Sequence, residues 1–282
     1  MWSRSISAAR NSGPVTVTVA AAFFGLAAGP APAAGRDADT VRYPYVAALS
    51  RMSGGERVYF CAGALVAPRW ILTAAHCFHD RRGRRIDDGD LWAEVGGALL
   101  AEVPEAAQVR FDLIVVHPDY DPASQASDLA LVRLDQEAGP LIATPAGDAR
   151  TEGEPAAALG FGSFYEGLLA GRALSRTGAP TAQISDRLRQ AELPLVDPAG
   201  CAAGLGIGGE ATGADRLCTG GEAPDACLGD SGGPLVAGRS EGADRLVGIV
   251  SFGSGCAAQS PLVVYTRVSA YAPWIERVIA VR

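Results

Sequence analysis

Three segments of the chain carry side chains that could act on one another chemically. In Thr73-Ala74-Ala75-His76-Cys77 a histidine is flanked only by small residues. In Ser127-Asp128-Leu129-Ala130-Leu131-Val132 a carboxylate opens a nearly continuous apolar run, where an unpaired charge would be costly to bury. In Gly229-Asp230-Ser231-Gly232-Gly233-Pro234 a serine sits on a glycine-rich turn between two apolar segments. A serine hydroxyl is a weak nucleophile until a neighbouring base takes its proton. Histidine suits that task because it titrates near neutrality and can return the proton to a leaving group. A buried aspartate fixes the imidazole tautomer and stabilises its protonated form. The backbone N–H groups of Gly229 and Ser231 can then point at a developing oxyanion. That chemistry is acyl transfer by a serine nucleophile.

Gly229-x-Ser231-x-Gly233 also matches the nucleophile elbow of α/β-hydrolases, which need their histidine after the serine. All three histidines, His76, His79 and His117, precede Ser231. The subtilisin arrangement belongs to an α/β fold, and few helices are visible here. The order that remains is His76–Asp128–Ser231.

The elements that must position these residues read as short strands. Tyr45–Leu49, Val58–Val66, Trp70–Thr73, Val109–His117 and Leu129–Leu134 are predicted strands of a first half. Ala156–Phe161, Arg189–Leu195, Pro234–Val236, Leu246–Phe252 and Val263–Val268 are those of a second half. With 35 Gly and 18 Pro to make turns, this pattern predicts an all-β sandwich or barrel. One helix is predicted, Ser269–Val281, with Ser269 as N-cap and Trp274, Ile275, Val278 and Ile279 on one face. The Ala/Gly-rich stretches 138–156 and 199–214 read as loops, and the first divides the chain into halves.

Composition narrows the function classes. The 282 residues are 48% hydrophobic and 20% charged, which excludes wholesale disorder. The net charge is −7, and every one of the 24 basic residues is Arg, because the chain contains no Lys. Such a balance argues against nucleic acid as a partner. At the start, Arg4 and Arg10 precede the apolar run Val15–Ala28, and small residues follow at Ala31-Pro32-Ala33-Ala34-Gly35. This reads as a signal peptide over 1–34, leaving 35–282 as a secreted chain with no membrane attachment. A membrane span needs about 20 apolar residues, more than this run supplies. In an oxidising compartment the six cysteines imply disulfides, not zinc or thiol catalysis, with the pairing left open. Arg81-Arg82-Gly83-Arg84-Arg85 reads as a solvated loop that could attract acidic partners or be a site of self-cleavage.

The three segments, in this order and 52 and 103 residues apart, resemble the signatures of the chymotrypsin/trypsin family of serine proteases, in its secreted, bacterial type. Gly160-Phe161-Gly162, Val250-Ser251-Phe252-Gly253, Tyr265-Thr266-Arg267-Val268 and Trp274-Ile275 are further likenesses, so the resemblance covers about residues 41–281. It implies two antiparallel β-barrels, about 41–140 and 155–268, with the active site between them and a C-terminal helix over 269–281. It implies His76 as general base, Asp128 as its orienter, Ser231 as nucleophile, and Gly229 and Ser231 as oxyanion hole. Ser251, Phe252 and Gly253 would pair with the substrate backbone, and Asp225 would form the base of a pocket for Arg or Lys. Val263 stands where the family usually has a glycine lining that pocket, and so would shorten the admissible side chain. The resemblance also implies the disulfides Cys61–Cys77, Cys201–Cys218 and Cys227–Cys256. Asp230 would pair with a new N-terminal ammonium group, which counting back places in Pro32-Ala33-Ala34-Gly35, where export processing would create it. The implied function is a monomeric secreted endopeptidase that needs no metal or cofactor, acts on protein or peptide substrates and is open to protein inhibitors. The competing reading is a catalytically silent homologue that binds or regulates partners.

Overall fold

Short apolar runs bounded by turn residues favour strands, and several here are buried along most of their length. Six such strands close into a barrel: β2 (Val46–Ser53), β3 (Glu56–Ala67), β4 (Trp70–Thr73), β5 (Leu91–Val95), β6 (Gln108–Val116) and β7 (Ala130–Leu134). Their order around the barrel is β2-β3-β4-β7-β6-β5, and every pairing is antiparallel. Leu49, Ala62, Leu65, Ile71, Leu72 and Leu131 are fully buried there. Complete burial of a Leu-sized side chain contributes roughly 1.5–3 kcal/mol.

This is a computed structural model. It describes residues 36–38, 42–80, 82–86, 90–96, 108–142, 155–164, 183–184, 187–206, 213–220, 230–237, 244–254 and 262–281. All of them fall in the second of two units into which the chain divides, Pro32–Arg282. The predicted signal segment 1–34 lies outside the described residues. Among the described residues no helix is long and apolar enough to cross a membrane.

The second half, joined at one edge by a short strand from before the barrel, forms a seven-stranded antiparallel sheet. Its strands are β1 (Arg36–Asp37), β8 (Pro155–Gly160), β11 (Arg189–Pro194), β12 (Arg216–Gly220), β13 (Pro234–Ala237), β14 (Arg245–Gly253) and β15 (Leu262–Arg267). They run in the order β1-β11-β8-β13-β14-β15-β12. A bridge between Leu195 and Thr219, with Val196 N donating to Cys218 O at 3.0 Å, ties the end of β11 to β12 and curls the sheet on itself. A short ribbon pairs β9 (Ser163–Phe164) with β10 (Gln183–Ile184). The expected two-barrel architecture is therefore present, one barrel closed and the other a curled sheet.

Among the described residues two α-helices complete the fold, and both differ from expectation. Helix α1, Pro198–Leu205, lies in a stretch predicted as loop. It starts because Asp197 caps it, its carboxylate accepting from Gly200 N, while Pro198 needs no partner for an N–H it lacks. It stops at Gly206, which takes the left-handed conformation at φ 66°. Helix α2 is Ala272–Val281, three residues shorter at its start than predicted. Ser269 lies inside a 3-10 turn, Val268–Tyr271, and is not an N-cap. The α-helix proper starts at Ala272-Pro273, where the missing N–H of proline is harmless. Trp274 and Ile275 are buried as expected.

Candidate active site

His76 follows β4 on a 3-10 turn, Ala75–Phe78. Its backbone N–H donates to Asp128 Oδ1 at 2.8 Å, and its ring Nδ1 lies 2.7 Å from Asp128 Oδ2. A carboxylate only accepts, so Nδ1 carries the proton and Nε2 is the basic nitrogen. Burial disfavours the charged imidazole, but the charge and hydrogen bond of Asp128 outweigh it, and the His76 pKa is raised. Asp128 is fully buried just ahead of β7. Burial alone would raise its pKa, yet His76 and the Ser251 hydroxyl hold the carboxyl below its ordinary range.

Two of Asp128's partners come from the curled sheet. Ser251 Oγ donates to Oδ2 at 2.5 Å, and Thr266 Oγ1 donates to the backbone carbonyl at 2.9 Å. Ser251 can reach because β14 carries a register shift between Val250 and Phe252, and such a bulge re-aims a side chain. The family resemblance implied for Ser251 only a place on a substrate-pairing strand. Its bond to a residue 123 positions away leaves no local trace, nor does that of Thr266.

Ser231 sits on the turn before β13, and the strand that receives it also holds the histidine turn. Ala62 N in β3 donates to Ser231 O at 2.8 Å. Its neighbour Cys61 is disulfide-bonded to Cys77, the residue after His76. Gly232 has φ 76° and lies so close to β3 and β4 that a Cβ there would collide with Thr73 Oγ1 and meet Ala62 O at 2.5 Å. Asp230 packs beneath: a Cβ at Gly160 or at Gly162 would collide with its carboxylate, which explains the Gly160-Phe161-Gly162 segment.

Ser251, Phe252 and Gly253 extend past the last β13–β14 pair, Pro234 with Ile249. Their other side is paired, Phe252 with Val264 and Gly253 with Val263. Val263 is 3% exposed and packs in the interior of the curled sheet with Tyr265, Val250 and Leu217. The Cys201–Cys218 disulfide joins α1 to β12. Gly229, Asp225, the Cys227–Cys256 pair and the segment Pro32-Ala33-Ala34-Gly35 lie outside the described residues.

The remaining histidines have partners the sequence did not supply. His79 Nδ1 lies 2.8 Å from Ala75 O, and its ring packs on Tyr120. His117 Nδ1 accepts from Asp119 N at 3.2 Å, and its ring meets those of Tyr271 and Trp274. Cys61, His76 and Cys77 come within 4.8 Å of one another, but both sulfurs are in the disulfide and neither is a thiolate ligand.

The family model described as Trypsin matches residues 33–275. Coagulation factor XII of Sus scrofa is 35% identical over 253 residues, covering 83% of this chain and 37% of that protein. Transmembrane protease serine 7 of Mus musculus is 34% identical over 78% of this chain, which spans 25% of that protein. Chymotrypsin-like elastase family member 3B of Homo sapiens is 30% identical, with 87% of this chain and 88% of that protein aligned. The chain thus spans well under half of the first two relatives and nearly all of the third. With the matched model covering most of its length, the chain belongs to the trypsin family of serine proteases.

Proposed function

We propose that the protein is a secreted serine endopeptidase, monomeric and free of metal or cofactor, that cleaves proteins or peptides after Arg or Lys. The observation that carries this reading is the Cys61–Ala62 step of β3. It holds the His76 turn by a disulfide and the Ser231 turn by a backbone hydrogen bond, while His76 is bonded to a buried Asp128. In the proposed mechanism His76 Nε2 takes the Ser231 proton as Oγ attacks the scissile carbonyl. The N–H groups of Gly229 and Ser231 stabilise the oxyanion, and His76 then protonates the leaving amine. Water hydrolyses the acyl-enzyme by the same steps in reverse. Substrate backbone adds along Ser251–Gly253, whose edge continues beyond β13. Asp225 attracts the basic side chain, and Val263 limits its depth. Asp230 receives the N-terminus that export processing creates near residues 33–36.

A fluorophosphonate probe tests the catalytic reading. Labelling of the wild type that vanishes in Ser231→Ala is expected, and an unlabelled wild type would instead favour a binding role. Amide substrates ending in Arg, Ala or Val test the specificity. Faster turnover of the small residues would overturn cleavage after Arg or Lys and assign the pocket to Val263. N-terminal sequencing of the secreted protein should give a start at residues 33–36.

A further inference from the structure

The residue before Asp128 is in an unfavourable conformation. Ser127 has φ 51°, a left-handed value that non-glycine residues rarely adopt. Directly after it, Leu129 N donates to Ser127 O at 2.7 Å, closing a tight turn with Asp128 at its centre. The direction of the Asp128 side chain therefore depends on what holds Ser127, beside the bonds from His76, Ser251 and Thr266. Tyr271, 8% exposed, is the residue that reaches it. Its hydroxyl oxygen lies 3.2 Å from Ser127 Oγ and 2.9 Å from Asp215 Oδ2. The phenol has one proton and the carboxylate can only accept. The Tyr271 O–H therefore donates to Asp215, and the Ser127 hydroxyl can donate to the phenol oxygen. Burial, with the Asp215 carboxylate, pushes the Tyr271 pKa up to about 12, so the proton stays in place at working pH. Asp215 is itself anchored, since Arg267 N donates to its carbonyl at 2.8 Å. Next to it, Arg216 Nη2 donates to Ser124 O at 3.1 Å, a second hold on the same loop.

We propose that Tyr271 and Asp215 are positioning residues: through Ser127 they lock the left-handed turn that aims Asp128 at His76. They touch neither substrate nor the reacting atoms. This rests on reading His76, Asp128 and Ser231 as the catalytic residues. Without the phenol hydroxyl, Ser127 would relax towards negative φ and swing Asp128 away from Nδ1. Misplacement of a catalytic group by about 1 Å can cost up to roughly a hundredfold in rate.

The test uses Tyr271→Phe, which keeps the ring, alone and in a Ser127→Gly background. Glycine adopts positive φ freely, so it removes the need for the lock. In the Ser127 chain, Tyr271→Phe should lower kcat about tenfold with little change in KM. It should also move the acid limb of kcat/KM to lower pH, because His76 loses part of its counter-charge. In the Ser127→Gly chain the same substitution should cost less than about twofold. An equal loss in both backgrounds, or a lowered Tm with an unmoved acid limb, would overturn the proposal. The downfield proton resonance of His76 Nδ1–H gives a readout independent of turnover. It should shift in Tyr271→Phe and return in the double variant, and a resonance unchanged by Tyr271→Phe would also overturn it. Wild type that resists the fluorophosphonate probe would sink the catalytic reading, while this resonance would still decide the positioning role.

Discussion

Because the Asp128 carboxylate outweighs burial at His76, the imidazole holds its proton to higher pH than a free histidine. In the proposed mechanism the general base must be neutral, so activity should be lost as pH falls through a pKa lying above the ordinary 6.5. In Asp128→Asn only burial remains, and the acid limb of kcat/KM should move below that value while the rate falls by roughly 10⁴. A limb that stays in place would contradict the electrostatic account. Stability runs the other way. The raised His76 pKa gives stabilisation that is complete below its unfolded value and lost as pH rises through the folded one. The lowered Asp128 pKa gives stabilisation present above its unfolded value and lost as pH falls through the folded one. The pair therefore stabilises most between about pH 4 and 6.5, on the acid side of the active range. In sequence the pair was legible because His76 is flanked by small residues and Asp128 opens a nearly continuous apolar run. Ser251, Thr266 and Tyr271 were not, because each reaches the site only through partners more than a hundred residues away.

Most longer apolar runs were legible as strands, whereas two five-residue strands, each with a buried charge, were missed. Leu91–Val95 contains Glu94, buried at 6% exposure and held by Ser50 Oγ at 2.8 Å and Arg57 at 3.0 Å. Arg216–Gly220 begins with a buried Arg and ends on Gly, so it too carries no strand pattern. The basic run after the histidine changes meaning once its backbone is seen, although Arg81 lies outside the described residues. Asp80 Oδ1 accepts from Arg82 N at 2.8 Å and Arg84 N at 2.9 Å, and Arg84 Nε donates to Oδ2 at 2.8 Å. Below it, Ile86 N donates to Phe78 O at 2.7 Å. A protease needs an extended segment, and this loop is closed on itself. The backbone N–H of Arg84 leads the donors that hold the Asp80 carboxyl below its ordinary range, so the clamp persists into acid. Asp80→Ala should open it: limited proteolysis of Ser231→Ala chains should cut at 82–85 only when Asp80 is replaced. Equal cutting in both would show that the clamp protects nothing.

At the scale of the whole chain, one disulfide and one interface assemble the site. Cys61–Cys77 closes 16 residues, a loop length for which cross-linking contributes about 3 kcal/mol. Replacing both cysteines by Ala should lower the urea midpoint accordingly. It should also reduce kcat, because the His76 turn loses its tie to β3, the strand whose Ala62 N–H holds Ser231. A stability loss with kcat intact would place the disulfide outside the site's geometry. Asp128 belongs to the closed barrel, yet Thr266 and Ser251, 138 and 123 residues further on, complete its hydrogen bonding. Contacts over such separations carry a loop-closure cost, and we expect them to form after the local pairings. Tryptophan fluorescence should therefore recover before reactivity towards fluorophosphonate does, and simultaneous recovery would contradict this order. A chain whose barrels have formed but not docked has no oriented base. On the proposed reading the capacity to cut would arrive last, so nascent copies crowded together would be harmless to one another while they are still easiest to digest.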